Sequence, residues 1–174
     1  FYMKIGAFEI VEPIPELHRP HALVIVKPWI DVGSVGSLTL RRLERHFGAK
    51  ELGHLARPGD FFDFTRYRPS AAWVQGQREI TIPNSVLNYV QYKGGPDLLF
   101  MHLLEPHISG EDYNESVMEI IEHFGVKRYC RLASVYDAVP HTRPLMATGS
   151  ASIDAPIDGR SVPMLVTQNS YQGP

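Results

Sequence analysis

Cysteine is nearly lacking in this chain of 174 residues, with Cys130 the single example. That excludes an internal disulfide and fits a reducing compartment, with the thiol expected as a buried strand residue in the stretch 129–135. Basic excess is lacking as well. Lys and Arg number 17 against 19 Asp and Glu, a formal net charge of -2, which argues against a general nucleic-acid or anionic-membrane binder because both roles rest on surplus positive charge. No apolar run reaches the length that spans a bilayer, and the first residues show no secretory pattern, so the expected location is the cytoplasm. There is no internal repeat and no low-complexity stretch. One domain over 1–174 is expected, and 44% apolar with 21% charged residues suits a sizeable core.

What is present is a succession of strand and helix signals. Residues 1–20, with Pro13, Pro15 and Pro20, read as an arm that adds an edge strand around Lys4 to Val11. Ala22-Leu23-Val24-Ile25-Val26 is a β-branched run typical of a strand covered on both faces, and Asp31 to Gly36 is a turn. A helix is expected from about Val35 to Phe47, with Leu40, Leu43 and Phe47 on one face, Asp31 or Ser34 as cap and Gly48 as stop. Between Glu51 and Ile82, Phe62-Asp63-Phe64-Thr65 and Glu79 to Ile82 alternate as short strands, with a turn near Gln75-Gly76-Gln77. Asp97 to Leu104 is a further apolar strand. Ser109 and Asp112 suggest a capping box for a helix to about Phe124, which presents Val117, Ile120, Ile121 and Phe124 on one side. A strand from Lys127 to Val135 then completes a βαβ unit, and Met164 to Thr167 reads as one more strand. The expected class is α/β with a mostly parallel central sheet in three layers.

Chemical motifs are incomplete. Gly33 and Gly36 stand where a phosphate loop would, but the third glycine and the Lys-Ser or Lys-Thr pair are missing, and Asp31 would repel a phosphate, so a tight structural turn is the stronger reading. His102, Glu105 and His107 are zinc-type ligands. In an extended strand, however, His102 and Glu105 point to opposite faces, so neither a metal nor another cofactor is expected. Gly33-Ser34-Val35-Gly36 is out of register for a nucleophile elbow. Glu105, Asp137, His141 and Arg143 all follow strands. They could converge in a crevice as acid, base and anion-binding group, or fasten loops as an ion-paired plug. Arg41, Arg42, Arg45 and His46 make a basic face on the first helix, either simply solvated or facing an acidic partner. Pro140-His141-Thr142-Arg143-Pro144 forms a stiff loop, since each proline fixes its own φ and restrains the residue before it.

In this order, Val24-Ile25-Val26 leading into Asp31 to Gly36, Phe62-Asp63-Phe64 with Arg68-Pro69, Glu105-Pro106, Pro140 to Pro144 and the closing Tyr171-Gln172-Gly173-Pro174 resemble the proteasome assembly chaperone 2 family and its bacterial relatives. The resemblance covers about Ala22 to Pro174. It implies a three-layer α/β fold similar to purine nucleoside phosphorylases and related hydrolases, homo-oligomerisation, and assistance to proteasome assembly without known catalysis. His102-Leu103-Leu104 departs from the smaller residues that relatives carry before Glu-Pro. The family pattern also runs on beyond Tyr-Glu-Gly-Pro, so truncation relative to the family is expected.

The functional expectation is a non-catalytic protein-binding module, with a protein partner or a second copy and with neither nucleic acid nor membrane. The alternative is a phosphorylase- or hydrolase-like enzyme acting on a small anion near Glu105, His141 and Arg143. Functional loops are expected at Asp31, Gly33, Gly36, Glu105 and 140–144. Strands 98–104 and 129–135, joined by one crossover, are expected side by side, which would pair Arg143 with Glu105 first or Asp137 second.

Overall fold

The structure is a computed structural model that describes residues 1–136, 138 and 142, of which Phe1–Tyr136 form one compact unit. Its strands are β1 (Tyr2–Ile5), β2 (Phe8–Val11), β3 (His21–Lys27), β4 (Lys50–Leu55), β5 (Ser70–Val74), β6 (Gln77–Thr81), β7 (Val86–Val90), β8 (Leu98–Leu104) and β9 (Arg128–Arg131). Two helices accompany them, α1 (Val35–Phe47) and α2 (Gly110–His123). The apolar runs at 22–26 and 98–104 and both amphipathic helices lie where the sequence puts them. The amino-terminal arm supplies two strands rather than one, a hairpin turning at Gly6 with Tyr2 opposite Val11.

Seven strands form one sheet in the order β1-β2-β4-β7-β8-β3-β9. The expectation of a mostly parallel sheet is corrected. The pairings from β1 through β2, β4 and β7 to β8 are antiparallel, and only β8–β3 and β3–β9 are parallel. The reason is connection length, because the few residues between β1 and β2 and between β7 and β8 allow a hairpin but no crossover. Strand β4 carries a weak apolar signal, whereas β7, Val86-Leu87-Asn88-Tyr89-Val90, is short but mostly apolar, and neither was expected. A second correction concerns neighbours: β8 and β9 are parallel but not adjacent, since β3 lies between them and pairs with both. The α2 crossover therefore passes over β3.

Side chains of the central strands alternate between two cores. Ala22, Val24, Leu99, Met101 and Leu103 point into the larger one with Tyr113, Val117, Ile120 and Phe124 of α2. Leu23, Ile25, Leu98 and Phe100 point the other way, against Leu40, Leu43 and Phe47 of α1. One helix thus covers each face of the β8–β3 pair. Polar groups tie the loops to this frame. Asp97 is buried and accepts the N–H groups of His18 at 2.6 Å and Tyr92 at 2.7 Å. Ser85 Oγ accepts the Leu104 N–H at 3.0 Å and lies 2.7 Å from the Tyr113 hydroxyl, whose burial pushes its pKa up to about 12.

Three local expectations change. Phe62-Asp63-Phe64 is a turn, not a strand, because Phe61 and Phe62 are needed in the larger core, packed edge-on to Tyr113. Ser109 has left-handed backbone and no side-chain cap bond, so the capping box at α2 does not form. Cys130 is exposed, since β9 is the last strand of the sheet among the described residues. The turn at Gln75-Gly76 is borne out: β5 and β6 form a hairpin with Ala71 opposite Ile80 and Trp73 opposite Arg78. That hairpin is a separate two-stranded sheet, and every residue of both strands is exposed. The strand expected at 164–167 lies outside the described residues.

Candidate functional site

The parallel trio β8-β3-β9 ends on one side of the sheet, with Lys27 in register with Leu104. After β3 the chain leaves over the α1 face, and after β8 over the α2 face, as the two cores record. This is a topological switch point, the place outside strand carboxyl ends where open α/β sheets bind ligands. Three segments meet here.

The first is the turn 31–36. Asp31 Oδ1 accepts the N–H groups of Gly36 at 2.8 Å and Ser37 at 3.2 Å, and Oδ2 accepts the Ser37 hydroxyl. The carboxylate fills the amino end of α1 that a phosphate would otherwise take, so the turn is a self-satisfied helix cap. Ser34 makes no side-chain cap bond. Gly36 permits this packing, since a Cβ there would stand 2.4 Å from Ile25 Cδ1. Gly33 supplies a left-handed residue, φ 62°.

The second segment follows β9. Val32 N–H donates to the Ser134 carbonyl at 3.3 Å, and Ser134 returns its N–H to Ile30 at 2.8 Å and its hydroxyl to the Val32 carbonyl at 2.8 Å. Residues 132–134 thus run beside the Asp31 turn. The third segment is Glu105, whose N–H donates to the Lys27 carbonyl at 2.8 Å and whose carbonyl accepts the Tyr67 hydroxyl at 3.0 Å. Tyr67 also stacks on His107, ring centroids 4.5 Å apart, and His107 Nδ1 accepts the Asp63 N–H at 3.1 Å.

Lys27 is the functional group that sequence reasoning passed over. Its ammonium is half-buried, and burial, with Arg41 as a second cationic influence, lowers its pKa while Asp31 pulls it back. The signal was legible: a lysine closing a β-branched run at a strand's carboxyl end. Of the expected Glu105, His141 and Arg143 set, only Glu105 is described. Asp137, Pro140, His141, Arg143 and Pro144 lie outside the described residues, and Thr142 is exposed. The neighbour argument for an Arg143–Glu105 pair loses its premise, because β3, and with it Lys27, stands between β8 and β9.

The metal-type trio is not brought together. His102 faces α1, where its Nε2 lies 2.7 Å from Glu44 Oε1, while His107 joins the 61–67 turn. Asn88 Nδ2 donates to the same Glu44 oxygen at 2.8 Å. Burial opposes the Glu44 charge, yet the bonds from His102 and Asn88, with Arg41 nearby, hold its pKa below the ordinary carboxylate range. Nothing local links Glu44 and His102, which meet only because α1 lies across β8. Above them opens a groove of about 590 Å³ lined by Leu38, Arg41, Glu44, Arg45, Gly48, Ala49 and Asn88.

The PAC2 family model matches residues 25–174. This chain belongs to the PAC2 family. A Streptomyces avermitilis PAC2 family protein is 26% identical with a TM-score of 0.71, over 78% of this chain and 58% of that one. A Mycobacterium tuberculosis proteasome-assembly chaperone homologue has the same fold at 20% identity and a TM-score of 0.70, over 88% of this chain and 64% of that one. Pyrococcus furiosus PbaB, an archaeal proteasome activator, matches at 16% identity with a TM-score of 0.54, over 71% of this chain and 49% of its own. The chain therefore spans about half to just under two thirds of these proteins' length. No curated protein matches it. Among the described residues no helix is long and apolar enough to cross a membrane.

Proposed function

We propose that this chain is a non-catalytic protein-binding module of the assembly-chaperone type. The observation that carries the reading is the β5–β6 hairpin. Its cross-strand pairs put Ala71, Ile80, Trp73 and the Arg78 stem on one face, with Ser70, Ala72, Val74, Gln77, Glu79 and Thr81 on the other, so the two bulkiest apolar side chains share the first face. Trp73 is 77% and Ile80 64% exposed. A two-stranded hairpin is marginal in water by itself, and an amphipathic one gains its stability by laying the apolar face on something else. Aromatic and arginine side chains are also the usual anchors of protein interfaces. PAC2 membership and the fold shared with a proteasome-assembly chaperone homologue support the same reading. Self-association belongs to it, since among the described residues no strand pairs with the outer edge of β1.

Affinity capture from the source cell with the full chain, compared with a Trp73→Ser, Ile80→Ser double variant, tests this. A specific protein or a second copy should be retained by the parent chain and lost by the variant. Equal recovery by both overturns the reading. The second reading, an enzyme acting on a small anion, draws on Lys27 and Glu105 at adjacent strand ends. Turnover of a nucleoside or ester that is lost in Lys27→Met would favour it.

A further inference from the structure

Along α1, Leu38, Arg41 and Arg45 recur at spacings of three and four, which aligns them in one stripe, and Gly48 follows as the helix stop. With Glu44, Ala49 and Asn88 they line the open groove of about 590 Å³. Arg41 and Arg45 are exposed, and Leu38 shows 55% of its surface. Neither arginine takes part in the ion pairs found among the described residues. The acid in the groove is already engaged. Glu44 spends Oε1 on His102 and Asn88, and both members of the Glu44–His102 pair keep only 13% of their side-chain surface exposed. The charge the groove offers to a partner is therefore the positive charge of the two guanidiniums.

We propose that this groove docks an extended acidic segment of a partner protein. Arg41 and Arg45 are four residues apart, about 6 Å along the helix axis. Alternate side chains on one face of an extended chain recur at about 6.6 Å. Two carboxylates separated by one residue thus meet the two guanidiniums in step, and an apolar side chain beyond them lies over Leu38. The second Glu44 oxygen, Oε2, has no hydrogen bond among the described residues and accepts a backbone N–H, which an extended segment still has free and a helical one does not. Nucleic acid fits less well, because the chain's formal net charge of -2 supplies no surplus positive charge beyond the groove to follow a phosphate backbone.

This surface is distinct from the β5–β6 hairpin and is tested separately from it. The full chain is titrated into a fluorescein-labelled peptide that carries Glu-Ser-Glu-Ser-Leu, and binding is followed by anisotropy. Arg41→Glu and Arg45→Glu should each weaken saturable binding by about ten-fold or more, and Leu38→Ser by a few-fold. Arg42→Glu makes the same charge change outside the groove and should stay within about two-fold. Unchanged melting temperatures show that the variants fold. Absence of saturable binding overturns the proposal. So does an equal loss in Arg42→Glu, or tighter binding of a labelled single-stranded oligonucleotide than of the peptide. None of these outcomes depends on whether the hairpin captures a partner.

Discussion

Strand β8 and the β5–β6 hairpin differ in what their side chains meet. In β8, Leu99, Met101 and Leu103 enter one core and Phe100 the other, so both faces are covered. In the hairpin, Trp73 and Ile80 share one face, with Ala72, Val74, Glu79 and Thr81 beside them on the other, and nothing within the described unit covers them. A period of two fixes which residues share a face, but not whether that face finds a partner inside the chain. An apolar face that the fold leaves bare is therefore a statement about binding, while a covered one is a statement about stability.

The largest effect should come from Phe100→Ala. Phe100 is fully buried, and removing its ring should cost about 3 to 5 kcal/mol, a fall in Tm on the order of 10 °C by calorimetry. Next comes alkaline pH. Tyr113 has a folded pKa of about 12, above the ordinary value near 10, so its contribution is complete below about pH 10 and is lost as pH rises toward 12. Denaturant unfolding should show about 2 to 3 kcal/mol lost across that window, and Tyr113→Phe should flatten the slope. Gly36→Ala forces a Cβ onto Ile25 and should destabilise by about 1 to 3 kcal/mol, readable as a lower denaturation midpoint at unchanged m.

Smaller still is the helix-cap contrast. Asp31→Ala removes the acceptor for two N–H groups and should cost about 1 kcal/mol. Ser109→Ala removes a side chain that caps nothing, and its thermal melt should match the parent chain. The smallest stability effect is expected for Trp73→Ser, within about 0.5 kcal/mol despite the loss of an indole, because an exposed side chain loses little packing. A drop comparable to that of Phe100→Ala would mean that the hairpin face is covered within the folded chain, and would erase the contrast on which the binding proposal stands.

The parallel half of the sheet was legible because 22–26 and 98–104 are dense apolar runs followed by glycine turns and amphipathic helices. The antiparallel half was not. Lys50-Glu51-Leu52-Gly53-His54-Leu55 reads as polar because one of its faces is left open, and only Leu52 and Leu55 reach a core. At the candidate site, Asp31, Gly36 and Glu105 were found as single residues with recognisable local chemistry. The Glu44–His102–Asn88 cluster was invisible, since its members lie on three elements and share no spacing.

By itself, then, the sequence determined the local elements: where α1 starts and stops, that Asp31 or Ser34 caps it, and that Gln75-Gly76 turns a hairpin. These follow from short-range sterics and hydrogen bonding, which act within a few residues. The order of the strands was decided only in the tertiary structure. Whether β9 lies beside β8 or beyond β3 turns on which edge offers unpaired backbone groups and which face α2 can cover. Those are properties of the assembled sheet, and no run of neighbouring residues encodes them.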